Sequence, residues 1–125
     1  MVFLISACSQ KHTVDYNLTN NVHEAFQFCK TNGLDTQKVI LVNYAVPSGK
    51  KRLVVWDFTK NEIVYSYLVA QGKCNDNQKF SNQPSSNCSA LGRYMVGQKT
   101  HSSWGEGFSF KLLGLDTSNT NCILK

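Results

Sequence analysis

Residues 39–70 read VILVNYAVPSGKKRLVVWDFTKNEIVYSYLVA. Val39-Ile40-Leu41-Val42 is a short, wholly apolar run, the pattern of a buried strand. Pro47-Ser48-Gly49-Lys50 follows as a tight turn, with Pro fixing one φ and Gly freeing another. Lys51–Phe58 predicts a second strand centred on Leu53, Val54, Val55 and Trp56. Thr59-Lys60-Asn61-Glu62 is a polar hairpin connection, and Ile63–Ala70, rich in β-branched and aromatic residues, predicts a third strand. Three strands on short turns put the chain in the mainly β class.

One helix precedes this block. Val22, Ala25, Phe26 and Cys29 fall at i, i+3, i+4 and i+7 and make a single apolar stripe. Asn21 with Glu24 three residues on resembles a capping box, and Gly33 is placed to stop the helix. Such a helix needs a surface to cover, because alone it does not hold together. Residues 9–19 read as a polar linker leading into it.

Downstream the pattern loosens. Residues 71–90 are polar and turn-rich, without periodicity. Two readings of that segment stand level: Asn and Ser side chains satisfying their own backbone, or a loop that shapes a cleft. Gly92–Val96 opens another strand, and Lys99–Gly107 reads as a loop containing His101, Trp104 and Gly105. Phe108, Phe110 and Leu112 alternate with Ser109 and Lys111, which predicts a half-buried strand. Asp116–Asn121 is a polar turn, and Cys122-Ile123-Leu124-Lys125 reads as the opening of a further strand.

Composition sets the outer bounds. The chain has 125 residues, 42% of them hydrophobic and 17% charged, enough for one packed domain and too apolar for a disordered one. No apolar run reaches the roughly 20 residues of a membrane-spanning helix. The net charge of +5 is spread along the chain and forms no nucleic-acid-binding stripe, so no nucleic-acid partner is expected.

Chemistry-bearing motifs are sparse. The cysteines are Cys8, Cys29, Cys74, Cys88 and Cys122, an odd count that leaves one without an intramolecular partner. None forms a C-x-x-C pair and His12, His23 and His101 lie away from them, so neither a metal nor a cofactor is expected. Cys74 and Cys88 are spaced to close a loop, but the preferred reading makes most of these thiols small core or loop residues. There is no G-x-S-x-G, H-E-x-x-H or phosphate-binding loop. His101 reads as an exposed loop histidine, and Trp104 as a core or cleft-wall aromatic rather than a ligand platform.

The segments together resemble the murein L,D-transpeptidase catalytic domain, in a branch common among bacterial lipoproteins. The likeness runs from about residue 20 to the end. One stretch is Val46-Pro47-Ser48-Gly49-Lys50-Lys51-Arg52, with Trp56-Asp57 and Leu68-Val69-Ala70-Gln71-Gly72 after it. Another is Phe80-Ser81-Asn82-Gln83-Pro84, continuing to Ser89-Ala90-Leu91-Gly92-Arg93-Tyr94. A third is Phe108–Asp116 followed by Asn119-x-Asn121. The resemblance implies an incomplete L,D-transpeptidase-like β-sandwich with an N-terminal α-helix. It also implies a cysteine mechanism on peptidoglycan stem peptides. A thiolate activated by histidine attacks the stem carbonyl, terminal D-alanine leaves, and a neighbouring stem's amine takes the acyl group. Ser89, Gly92 and Tyr94, with Trp104, are the substrate-cleft candidates. The family's catalytic groups lie in a His-Gly and a Ser-x-Gly-Cys segment, and neither occurs in these residues. No catalytic residue is therefore assigned: His101 and Cys122 match neither motif, and the nucleophile is expected beyond Lys125.

The N-terminus adds a second resemblance. Met1-Val2-Phe3-Leu4-Ile5 is apolar, Ser6-Ala7 is small, and Cys8 is followed at once by Ser9-Gln10-Lys11-His12. This is similar to the lipobox of a bacterial lipoprotein precursor, although the apolar run is short and lacks a basic leader. The expectation is a partial signal segment at 1–8, a linker at 9–19 and the N-terminal portion of the catalytic domain at 20–125. Cys8 would carry the lipid, tethering the protein to a membrane at the periplasmic face of the envelope. The competing class is a non-enzymatic, lipid-anchored module that binds cell-envelope material through the 71–90 loop and Trp104.

Overall fold

The computed structural model describes residues 2–6, 14–75, 79–103 and 105–121. The chain divides into two compact units, Met1–Gln71 and Gly72–Lys125.

The first unit is a sheet with a helix on one face. Its strands are β1 (Val2–Ser6), β2 (Lys38–Asn43), β3 (Leu53–Asp57) and β4 (Glu62–Tyr67), with α1 (Val14–Thr31) between β1 and β2. The β2–β3 and β3–β4 pairs are antiparallel, with facing residues such as Val39 and Trp56, or Val55 and Tyr65. β1 runs parallel to β2, with Phe3 opposite Ile40 and Leu4 opposite Leu41. Parallel neighbours need a crossover, and α1 supplies it. The apolar run read as a signal segment is thus a strand here, while Cys8 lies outside the described residues.

The helical stripe does what its spacing predicts. Val22, Ala25 and Cys29 are buried against Val39 and Leu41, with Leu34, Val54, Trp56 and Phe58 packed around them. Phe26 meets Phe58 edge to face at 5.1 Å between centroids. The helix is longer than its stripe. It begins at Val14, inside the stretch read as linker, so Asn21 lies within the helix and does not cap it. Its end is where Gly33 places it. Gly33 adopts φ +65°, the Leu34 N–H returns to the Cys29 carbonyl at 2.8 Å, and the last turn closes as a Schellman motif.

The first turn forms as read, with the Lys50 N–H on the Pro47 carbonyl at 3.0 Å. The third strand ends at Tyr67 rather than Ala70, because residues 68–70 are held by side chains instead of a ladder. The buried Arg52 guanidinium donates to the Val69 carbonyl at 2.9 and 3.0 Å and to the Val46 carbonyl at 3.0 Å. The Tyr44 ring lies under the same guanidinium, and its hydroxyl donates to the Ala70 carbonyl.

The second unit is built on a hairpin of β5 (Gly92–His101) and β6 (Phe108–Gly114). β5 runs to His101, past the Val96 boundary that the sequence suggested. Lys99, Thr100 and His101 pair with Phe110, Ser109 and Phe108 beyond an irregularity at Val96–Lys99. The alternation of β6 marks a strand correctly but its burial incorrectly: Phe108 and Phe110 are 42% and 52% exposed. Both units together are mainly β with an N-terminal helix, the class expected. No described helix is long and apolar enough to cross a membrane.

Candidate functional site

The motifs of the second unit converge on the end of the hairpin where β5 begins and β6 ends. Asp116 follows β6, and its carboxylate accepts the Arg93 backbone N–H at 2.6 Å and the Arg93 Nε–H at 2.8 Å. Arg93 Nη2 closes a second side-chain contact to the same carboxylate. This fork holds the Asp116 carboxyl below its ordinary range, with the backbone N–H adding to the effect and partial burial opposing it.

Asn119 is fully buried beside this pair. Its Nδ2 donates to the Arg93 carbonyl at 2.8 Å, and its Oδ1 accepts the Asp116 N–H at 2.9 Å. A buried amide must be satisfied on both sides, and here it is. Gly92 makes room for the arrangement: it sits at φ +130°, and a Cβ there would stand 2.7 Å from Asn119 Nδ2. Ser118 Oγ donates to the Leu91 carbonyl at 2.8 Å, tying the turn to the start of β5.

Asn82 stitches the preceding loop to the same turn. The Asn121 N–H donates to Asn82 Oδ1, and Asn121 Nδ2 donates to the Asn82 carbonyl, both at 3.1 Å. Asn82 Nδ2 donates to the Thr117 carbonyl at 3.2 Å. Further back, Cys74 and Cys88 form a disulfide, which corrects their reading as plain loop thiols. Inside that ring Asn87 Nδ2 donates to Asn75 Oδ1 at 2.8 Å, and Asn75 donates to the Ser85 and Ser86 carbonyls. Side chains therefore satisfy much of this loop's backbone, the first of its two readings.

The cleft candidates fare differently. Ser89 Oγ accepts the Gly72 N–H at 2.9 Å and fastens the base of the disulfide loop. Gly92 is occupied by the Asn119 clasp. Tyr94 is 3% exposed, and its hydroxyl donates to the Ala90 carbonyl at 2.7 Å, so it packs into the interior beside the start of β5. Trp104 lies outside the described residues. The clasp of Asn82, Arg93, Asp116, Asn119 and Asn121 carried no assigned role in the sequence reading. Its signal was the Gly-Arg and Asn-x-Asn motifs themselves.

No exposed free thiol sits among the described residues. Cys29 is buried on the core face of α1, and desolvation raises its thiol above the ordinary value, so it stays protonated. Cys74 and Cys88 are consumed in the disulfide, and Cys8 and Cys122 lie outside the described residues. His101 is exposed at the end of β5. Among the described residues no group of His, Cys, Asp and Glu side chains is placed to hold a metal ion.

The sequence profile of the L,D-transpeptidase catalytic domain matches residues 10–124. No curated protein and no solved structure matches the chain.

Proposed function

Since the chain belongs to the L,D-transpeptidase catalytic-domain family, whose members act on peptidoglycan stem peptides, we propose that it forms the scaffold of a cysteine acyltransferase. The thiolate comes from a segment outside these residues. It adds to the carbonyl of the stem's third residue, D-alanine leaves with a proton, and the thioester passes its acyl group to an amine of a second stem. Backbone N–H groups stabilise the oxyanion. The observation that carries this reading is the profile match along nearly the whole chain.

The disulfide supports an oxidising compartment such as the periplasm. Attachment through a lipid on Cys8 belongs to the same proposal and has a structural cost. Processing before Cys8 removes Val2–Ser6, and with it the parallel partner of β2. Mass spectrometry of the mature N-terminus distinguishes a lipidated Cys8 from a retained β1.

The mechanism is tested with a carbapenem. The protein extended by its adjoining coding sequence should gain one covalent adduct on a cysteine of a Ser-x-Gly-Cys segment, and the present chain alone should gain none. An adduct on the present chain, or an extension without that segment, overturns the proposal in favour of a non-enzymatic envelope-binding module.

A further inference from the structure

The face of the first unit's sheet that points away from α1 holds an open cleft with an aromatic border. α1 packs on Val39, Leu41, Val54 and Trp56. Side chains alternate along a strand, so Lys38, Ile40 and Val42 on β2 and Leu53, Val55 and Asp57 on β3 stand on the other face. Tyr65 and Tyr67 are opposite Val55 and Leu53, and share it. Their rings stack at 6.2 Å between centroids and 21° between planes, with exposures of 57% and 52%. Beside Tyr65 lies a cleft of about 490 Å³ lined by Lys38, Asp57, Lys60, Glu62, Ile63 and Val64.

We propose that this cleft and its tyrosine row bind the amino-sugar glycan strand of the cell wall, which rests on the reading of the chain as a wall enzyme. A sugar ring has an apolar face and a rim of hydroxyl and amide groups. It needs a flat exposed aromatic for the first and charged donors and acceptors for the second. Both are present side by side. Two ammonium groups and two carboxylates balance one another, which suits a neutral, hydrogen-bonding ligand. A nucleic acid would stack on the same rings but requires a basic groove, and Asp57 and Glu62 oppose it. A protein partner wants few charges at the centre of its contact, whereas here four surround the cleft.

The groups are also available. Asp57 is committed to the Thr59 and Lys60 N–H groups at 2.9 and 3.0 Å and to Lys38 at 3.6 Å, which fixes the floor. Among the described residues nothing engages the Lys60 ammonium, the Glu62 carboxylate or the two tyrosine hydroxyls. Tyr65 lines the cleft and stacks on Tyr67, so the aromatic row continues from the cleft along β4, which suits an extended polymer.

The test titrates the full chain with a soluble oligomer of N-acetylglucosamine, followed by calorimetry. Wild type should bind, and Tyr65→Ala with Tyr67→Ala should lose roughly tenfold or more in affinity. Glu62→Gln, at an exposed site, is the second variant and should weaken binding with an unchanged melting temperature. Absence of binding, or equal binding by all variants, overturns the inference. Binding of a stem peptide that the tyrosine variants abolish overturns it too, in favour of an edge-strand peptide site. If the oligomer fails while the extended protein still forms the carbapenem adduct, only the glycan site falls. Failure of both removes the wall-enzyme reading itself.

Discussion

In the first unit the buried side chains are mostly apolar, Val22, Ala25 and Cys29 of α1 with Val39, Leu41, Val42 and Val55 of the sheet, and the two charged ones, Arg52 and Asp57, are hydrogen-bonded. Among the described residues of the second unit the buried side chains are Ala90, Tyr94 and Asn119, and two of these three are held by specific hydrogen bonds. The first unit is stabilised mainly by area removed from water, a non-directional effect that tolerates modest change of shape. The second depends on a disulfide, a hydrogen-bonded ion pair and side-chain amides with fixed partners. Directional ties hold a loop in one conformation where an apolar core is too small to do so. They also fail abruptly when one partner is removed, because the other is left unsatisfied.

The sharpest way to break this contrast is to empty the first core. Leu41 is 6% exposed and packs under α1, so Leu41→Ala should cost roughly 2–5 kcal/mol. Amide exchange should accelerate through α1, β2 and β3, and the second unit's pattern should change less. Equal acceleration in β5 and β6 would show one cooperative core and erase the distinction.

The second intervention is reduction of the Cys74–Cys88 bond, which spans 14 residues of sequence. A loop of that size is worth about 3 kcal/mol by the chain-entropy estimate. Exchange should rise at Gly72, Asn75, Ser81 and Ser86, whose N–H groups bond within the loop, and then at Asn121, which bonds Asn82. Unchanged exchange would mean that the amide network alone orders the loop.

The same contrast explains what the sequence could disclose. β2, β3 and β4 were legible because apolar runs and turn residues are local signals, and the Gly33 stop was legible for the same reason. The start of α1 was not. Asp15-Tyr16-Asn17 and Thr19-Asn20-Asn21 are poor helix formers, and they mask the helical spacing of Val14 and Leu18 ahead of Val22. β1 was hidden because an apolar run before a small residue and a cysteine is also what an export signal looks like. The alternation of Phe108 and Phe110 specifies a strand but not what covers its face. The pairing of Cys74 with Cys88 is one of several that five cysteines allow. As for the clasp, Gly92, Arg93, Asp116 and Asn119 are far apart in sequence and announce themselves only through family resemblance.

The smallest effect expected is also the most local. Asp116 has its carboxyl held down first by the Arg93 guanidinium and then by the Arg93 backbone N–H. A carboxylate with a depressed native value stabilises the fold above its ordinary value of 3.8 and loses that contribution as pH falls through the native value. Arg93 is 40% exposed, so solvent screens the pair and its worth is about 1 kcal/mol or less. A global melt would barely register it, but the Arg93 amide proton is bonded directly to Asp116 Oδ2. Its NMR shift should therefore titrate with a midpoint below 3.8, and in Asp116→Asn the transition should vanish. A midpoint at or above the ordinary value would mean that the ion pair does not persist in solution. Asn119, with its two amide bonds to the same two residues, would then be the element that holds the hairpin's end together.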